Sequence, residues 1–230
     1  MFVPFLITQI LCRPYGEVFY RFNANITFGI FACLFTITPA ITIADPVRIL
    51  ALGDSLTAGY GLSQANSFPS QLAKKLHGAG IQSEIINAGV SGDTTSGALQ
   101  RLDWLIDGDY DLAIIELGAN DALRAIDPAL TRQNLEKIVK KFKARGTPVL
   151  LAGMKAPRNL GPDYTQRFDE LFPAIAQDHG LHFYPFFLDG VATYPELNQQ
   201  DGLHPNAKGV AIIASRMLPF AIDALEKDRK

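Results

Sequence analysis

Cysteine is nearly missing from this chain. Both copies, Cys12 and Cys33, fall within the first 44 residues. If that segment is removed, no thiol remains, which leaves no disulfide and no thiolate metal site. Runs of lysine or arginine are also missing. The 21 basic and 23 acidic residues give a formal net charge of -2, so electrostatic capture of nucleic acid is not expected. No repeat with a period of about 20 to 50 residues recurs, and no segment is low in complexity. What remains is 230 residues with 48% hydrophobic content. That suits one globular domain with a sizeable core.

Charge is scarcest at the start. Residues 1–44 carry only Arg13, Glu17 and Arg21, and the stretch Ile26 to Ala44, "ITFGIFACLFTITPAITIA", carries none. A basic residue, an apolar run and small residues before "DPVRIL" form the pattern of a secretory signal peptide. Thr42 and Ala44 occupy the -3 and -1 positions of a cut before Asp45. The division is therefore a leader at 1–44 and a single domain at 45–230, with a periplasmic or secreted destination. An uncleaved membrane anchor is the alternative, because the uncharged run is close to a bilayer's thickness; Pro39 and the threonines weaken that span. Once the leader is removed, no stable membrane partner is expected, and the chain reads as a monomer.

From Asp45 onward, strand and helix patterns alternate. Val47 to Leu52 is a short apolar strand. "SFPSQLAKKLHGAG" spaces Phe68, Leu72 and Leu76 as one helix face and closes on glycines. "SEIINAG" is a second strand, and "TTSGALQRLDWLI" a helix with Leu99, Leu102, Leu105 and Ile106 to one side. "YDLAIIELGAND" is a third strand, continuously apolar as buried parallel strands are. "LTRQNLEKIVKKFKARG" is an amphipathic helix whose inward residues are Leu130, Leu135, Ile138, Val139 and Phe142. "TPVLLAGM", a helix over Tyr164 to His179, "LHFYPF" and a final helix from Asn206 towards Leu225 complete the series. Such alternation predicts a parallel sheet covered on both faces, with ligands beyond the carboxyl ends of its strands. Three of those ends carry unusual chemistry: "GDS", "NAGVSGD" and "GAND". Their convergence suggests that Ser55 does more than make a turn.

A serine hydroxyl needs a neighbouring base to become a nucleophile. Of four histidines, His77 and His179 lie late in helices, where histidine is commonplace, and His182 opens a strand as a packing residue. His179 and His182 straddle a helix end and lack further ligands, so no metal is expected there. His204 sits in the polar loop "NQQDGLHPNAKG", with Asp201 three residues before it. An aspartate so placed can fix the histidine tautomer and steady an imidazolium; equally, Asp201 can cap a helix start. Spacing alone leaves both readings open. Donors for an oxyanion are available at Gly92, whose N–H has no β-carbon beside it, and at Asn120, whose amide can enter the same cleft. Each also has an ordinary role as a turn residue.

Taken together, these residues resemble the marker set of the SGNH hydrolases, also called the GDSL esterases. Ser55 of "GDSL", Gly92 of "SGDT", Asn120 of "GAND" and His204 of "DGLHP" follow the family's order, from about Val47 to the last helix. The closest likeness is to bacterial periplasmic arylesterases and multifunctional acyl thioesterase–lysophospholipases, carried by "GDSLTAGYGL", "NAGVSGDTTSGALQRL" and "AGMKAPRNLGPDY". The resemblance implies a three-layer α/β/α flavodoxin-like sandwich around a mainly parallel five-stranded sheet. It implies serine ester hydrolysis of a small-molecule ester or acyl substrate, with no metal and no cofactor. Ser55 would attack the acyl carbonyl, His204 would shuttle its proton, and Asp201 would orient His204. The Ser55 and Gly92 N–H groups and the Asn120 side chain would hold the oxyanion, while Asp54 would organise the turn. Ala119 departs from the glycine that often stands there.

Substrate contacts are expected from Leu123 and Ile126 in "DALRAIDP", with a second apolar wall from Met154, Ala156 and Pro157. Two other readings remain at this point. A carbohydrate O-acetyl esterase keeps the chemistry and changes the substrate; a flavodoxin-like binding module has no chemistry at all.

Overall fold

The computed structural model describes residues 45–227. The leader and its cut before Asp45 lie outside the described residues. Five strands form one sheet: β1 (Val47–Gly53), β2 (Ser83–Gly89), β3 (Leu112–Glu116), β4 (Val149–Ala152) and β5 (His182–Tyr184). Their spatial order is β2-β1-β3-β4-β5, and every pairing is parallel. β3 and β4 are buried along their whole length, as their unbroken apolar sequences require when both sheet faces are covered. β2, at an edge, is only partly buried.

Helices cover both faces. On one, α2 (Phe68–Gly78) packs against α7 (Ala207–Lys227). On the other, α5 (Pro128–Ala144) packs between α3 (Thr95–Arg101) and α6 (Pro162–His179). Phe68, Leu72 and Leu76 of α2 are fully buried, as their spacing predicts. The chain enters the sheet at β1, steps out to β2, then crosses back over β1 to β3. That reversal opens a crevice at the carboxyl ends of β1 and β3, where ligands settle in open α/β sheets. Two short helices occupy it: α1 (Ser55–Ala58) directly after β1, and α4 (Ala119–Leu123) just beyond β3.

Close packing at the β1 end depends on two glycines. A β-carbon on Gly89 would lie 2.3 Å from the Ala58 nitrogen, and one on Gly53 would lie 2.0 Å from the Thr57 hydroxyl. Both are well inside van der Waals contact, so α1 can sit this close to the sheet only over glycine.

Two expectations about helices are corrected. Leu130, placed on the inward face of α5, is 44% exposed. The buried stripe instead starts at Pro128 and Thr131 and runs through Asn134, Leu135, Ile138, Val139 and Phe142. Thr131 and Asn134 hold inward positions because their polar groups find buried partners, described below. The predicted helix over "TTSGALQRLDWLI" is also shorter, breaking after Arg101 into a 3₁₀ turn at Leu102–Trp104. Leu102 and Ile106 still reach the core. Among the described residues, no helix is long and apolar enough to cross a membrane.

Candidate active site

Asp54 shapes the turn that presents Ser55. Its Oδ1 accepts the Leu56 N–H at 3.0 Å and caps α1. Gly59, in the left-handed region, ends the helix one turn later. Ser55 thus stands at the mouth of the crevice, its Oγ 3.0 Å from His204 Nε2. On the far side of the ring, His204 Nδ1 lies 2.7 Å from Asp201 Oδ2.

The loop carrying Asp201 and His204 is built by its own polar groups. Asp201 Oδ1 accepts the Leu203 and His204 N–H groups at 2.9 and 3.0 Å. Asp201 therefore turns the backbone with one oxygen and meets the ring with the other, and the helix cap expected of it falls to another residue. The start of α7 is capped by Asn206, whose Oδ1 accepts from Lys208 and Gly209. The His204 N–H, the His204 ring and the Leu203 N–H hold the Asp201 carboxyl down at about 2, because each stabilises the anion. Gln199 anchors the loop to the rest of the site. Its Nε2 donates to the carbonyls of Tyr60 (2.8 Å) and Pro205 (3.0 Å), and its N–H donates to the His204 carbonyl.

Asn120 is the second residue of α4, just beyond β3. Its Nδ2 donates to Asp54 Oδ2 at 3.0 Å, which uses one amide hydrogen and leaves the other for the cleft. The residue after it, Asp121, is fully buried and ties three helices together. It accepts the Thr95 N–H at 2.9 Å, the Thr95 hydroxyl at 2.5 Å and the Thr131 hydroxyl at 3.2 Å. Asn134 of α5 donates to the Thr95 and Ser96 hydroxyls. These bonds fix α3, α4 and α5 relative to one another, and with them the position of Asn120.

Gly92 lies on the turn between β2 and α3 with φ at +82°, which glycine takes without strain. It is not among the residues that wall the cleft. Its link to them is Arg124, directly after α4, whose Nη2 donates to the Gly92 carbonyl at 2.8 Å. Arg101 fastens the same turn: it pairs with Asp93 at 2.7 Å and donates to the Gly53 carbonyl at 3.1 Å. The N–H groups of Ser55 and Gly92 meet no protein acceptor among the described residues.

Ser55, Asn120 and His204 open onto a cavity of about 480 Å³. Leu123, Met154, Ala156, Pro157, Phe186 and Leu203 line it, so its walls are mainly apolar. Ile126 is not among the residues that line it. In the turn after Leu123, Ala125 has a φ of +50°, and the Tyr164 hydroxyl donates to the Ile126 carbonyl at 2.8 Å.

Reading the sequence missed three residues around the site. Tyr60 packs its ring over His204, and Gln199 clamps the His204 loop; neither carries a distinctive local pattern. Glu116 ends β3 at 1% exposure. Its signal was visible: an acid at the end of the apolar run "LAIIE". Of the histidines set aside, His179 ends α6, and His182 opens β5 with its Nδ1 3.4 Å from Asp223. Among the described residues there is no cluster of three or more His, Cys, Asp or Glu of the kind that holds a metal ion.

Comparison with known proteins gives a consistent picture. A model of the GDSL-like Lipase/Acylhydrolase family matches residues 51–212. The chain is 40% identical over 168 residues to an arylesterase of Vibrio mimicus, covering 73% of this chain and 84% of that one. It is 34% identical over 185 residues to the thioesterase 1/protease 1/lysophospholipase L1 of Escherichia coli strain K12, covering 80% and 88%. Among solved structures, the esterase AlinE4, a member of the SGNH-hydrolase family, matches with a TM-score of 0.67 at 46% identity. That match covers 78% of this chain and 97% of AlinE4.

Proposed function

Because the chain belongs to the GDSL-like lipase/acylhydrolase family, and is with it a carboxylic ester hydrolase, we propose that Ser55, His204 and Asp201 form its catalytic triad. The observation that carries this reading is the unbroken chain of contacts from Ser55 Oγ through His204 to Asp201, at 3.0 and 2.7 Å, opening onto an apolar cleft.

In the first step, Ser55 Oγ bonds to the acyl carbon while its proton passes to His204 Nε2. The carbonyl oxygen becomes an oxyanion, held by the Ser55 N–H and the free hydrogen of the Asn120 amide, with the Gly92 N–H on the adjoining turn as third donor. The bond to the leaving group then breaks as His204 returns the proton to it. Water, deprotonated by His204, attacks the acyl-enzyme; the carboxylic acid departs and Ser55 regains its hydrogen. Asp201 keeps Nδ1 protonated throughout and stabilises the transient imidazolium.

The substrates proposed are aryl esters and short-to-medium acyl esters, with acyl thioesters and lysophospholipids as further members of the class. The wall of Leu123, Met154, Ala156 and Phe186 favours a hydrocarbon chain over a sugar. The monomeric state and delivery to the periplasm or outside the cell by cleavage of residues 1–44 belong to the same proposal; the mass of the mature protein reads the cut directly.

Hydrolysis of p-nitrophenyl acetate by the wild type and Ser55→Ala, with organophosphate labelling and peptide mapping, tests the reading. Loss of activity in the variant and label on Ser55 support it. Turnover by Ser55→Ala at the wild-type rate, or label on another residue, overturns it.

A further inference from the structure

Beneath the nucleophile lies a buried acid that the mechanism does not use. Glu116 and Asp54 are 1% and 0% exposed, and they meet directly, the Asp54 N–H donating to Glu116 Oε2 at 3.4 Å. Two carboxyls buried this close together do not both ionise, so one keeps its proton. The surrounding donors decide which. Both oxygens of Asp54 are supplied: Oδ1 by the Leu56 N–H and Oδ2 by the Asn120 amide. Glu116 has donors on one oxygen only, Oε2, from the Thr57 hydroxyl at 2.7 Å and the Asp54 N–H at 3.4 Å. Its Oε1 is buried and receives no N–H or O–H. An ionised Glu116 would leave a bare anionic oxygen in a dry interior; a protonated one would not.

We propose that Glu116 is a positioning residue for ester hydrolysis, a neutral acid that donates its carboxyl hydrogen to Asp54 and so fixes the carboxylate that aims the Asn120 amide and caps the Ser55 turn. The proposal rests on the catalytic reading of Ser55 and Asn120 given above. Burial, then the charge of Asp54, pushes the Glu116 carboxyl well above the usual range, in the same direction as the donor count.

The groups facing the pair from each neighbouring element are few. His204, from the loop before α7, acts on Asp54 through its charge. From α3, Arg101, paired with Asp93, reaches the adjacent Gly53 carbonyl. α1 and α4 offer the uncharged Thr57 and Asn120, while Asp121 of α4 is committed to Thr95 and Thr131. From the strands, Gly53 and Ala152 are the register partners of Glu116.

The test compares Glu116→Gln and Glu116→Ala by steady-state kinetics and infrared spectroscopy, with Ser55→Ala as a separate control. The amide of Glu116→Gln still donates to Asp54, so kcat stays within about threefold of the wild type. Glu116→Ala releases Asp54 and Asn120, lowering kcat about tenfold to a hundredfold with KM nearly unchanged. The wild type shows a protonated-carboxyl C=O band at neutral pH that Glu116→Gln lacks. If Glu116→Ala fails to fold, the band and the kinetics of Glu116→Gln still decide. Wild-type kcat in Glu116→Ala, equal damage in both variants, or a band untouched by Glu116→Gln overturns the proposal. An active Ser55→Ala would instead overturn the catalytic reading on which it rests.

Discussion

The ring of Tyr60 lies over the imidazole of His204, with centroids 4.6 Å apart and planes inclined by 38°. Tyr60 is 52% exposed, so its ring covers one face of His204 while its other side meets solvent. The same residue's carbonyl is held by Gln199, which fixes the backbone from which the ring projects. An aromatic pair of this kind is worth roughly 0.5–1.5 kcal/mol beyond area burial, or about two- to twelvefold in an equilibrium. Tyr60→Ala should lower kcat by a factor in that range. Tyr60→Phe, which keeps the ring, should stay near the wild type. Steady-state kinetics on an aryl ester checks both; equal losses would assign the effect to the hydroxyl instead.

Asp201 does two jobs with two oxygens, and Asp201→Asn separates them. The amide oxygen can keep the turn with Leu203 and His204, but its nitrogen cannot accept from His204 Nδ1. With the imidazole in the wrong tautomer, kcat should fall by about 10²–10⁴-fold while KM changes little. The low value of Asp201, about 2, also has a sign for stability. The folded carboxyl titrates below its unfolded value of about 3.9, so its contribution is present above pH 3.9 and disappears as pH falls through about 2. Solvent exposure of the side chain keeps that contribution small. Comparing Tm between pH 5 and pH 2 in the wild type and Asp201→Asn should show the two curves converging in acid.

Much of this arrangement is legible in the sequence, and the gaps have physical causes. Apolar runs separated by helical spacing specify the five strands, because a parallel strand buried on both faces cannot alternate polar and apolar residues. Ser55, Asn120 and His204 could be placed at one rim because each follows a strand end or sits in a polar loop, and side chains there face the crevice. Leu130 was misplaced because hydrophobicity alone does not see that Thr131 and Asn134 are satisfied by Asp121 and Thr95 across the fold. Tyr60 meets His204 and Gln199 across more than a hundred residues, a proximity that no local pattern encodes. The carboxyl pair of Asp54 and Glu116 depends on the register of β1 with β3, where Gly53 faces Glu116.

Leu123 stands at the mouth of the cleft, exposed on one side and part of its apolar wall on the other. Each methylene buried there should contribute about 0.8 kcal/mol, equivalent to nearly fourfold in kcat/KM. A series of p-nitrophenyl esters should therefore rise in kcat/KM by about that factor per carbon until the chain outgrows the cleft. Leu123→Asp places a charge against the chain and should flatten the rise, leaving acetate hydrolysis largely intact. An unaltered chain-length profile in Leu123→Asp would remove this wall from the acyl site.

Glu116 also makes a prediction about stability that does not depend on catalysis. An unfolded glutamate titrates near 4.3, whereas burial and the neighbouring Asp54 keep the folded carboxyl protonated to far higher pH. Between those two values the folded state binds the extra proton, so stability falls as pH rises. The favourable contribution is complete below about pH 4.3 and is lost as pH climbs through the folded value. Replacing the acid with an amide of the same shape removes the titration. The Tm of Glu116→Gln relative to the wild type should therefore increase as pH is raised from about 5 into the alkaline range. Circular dichroism melts of both proteins across that range decide the matter, since parallel curves would mean that Glu116 carries no extra proton in the folded protein.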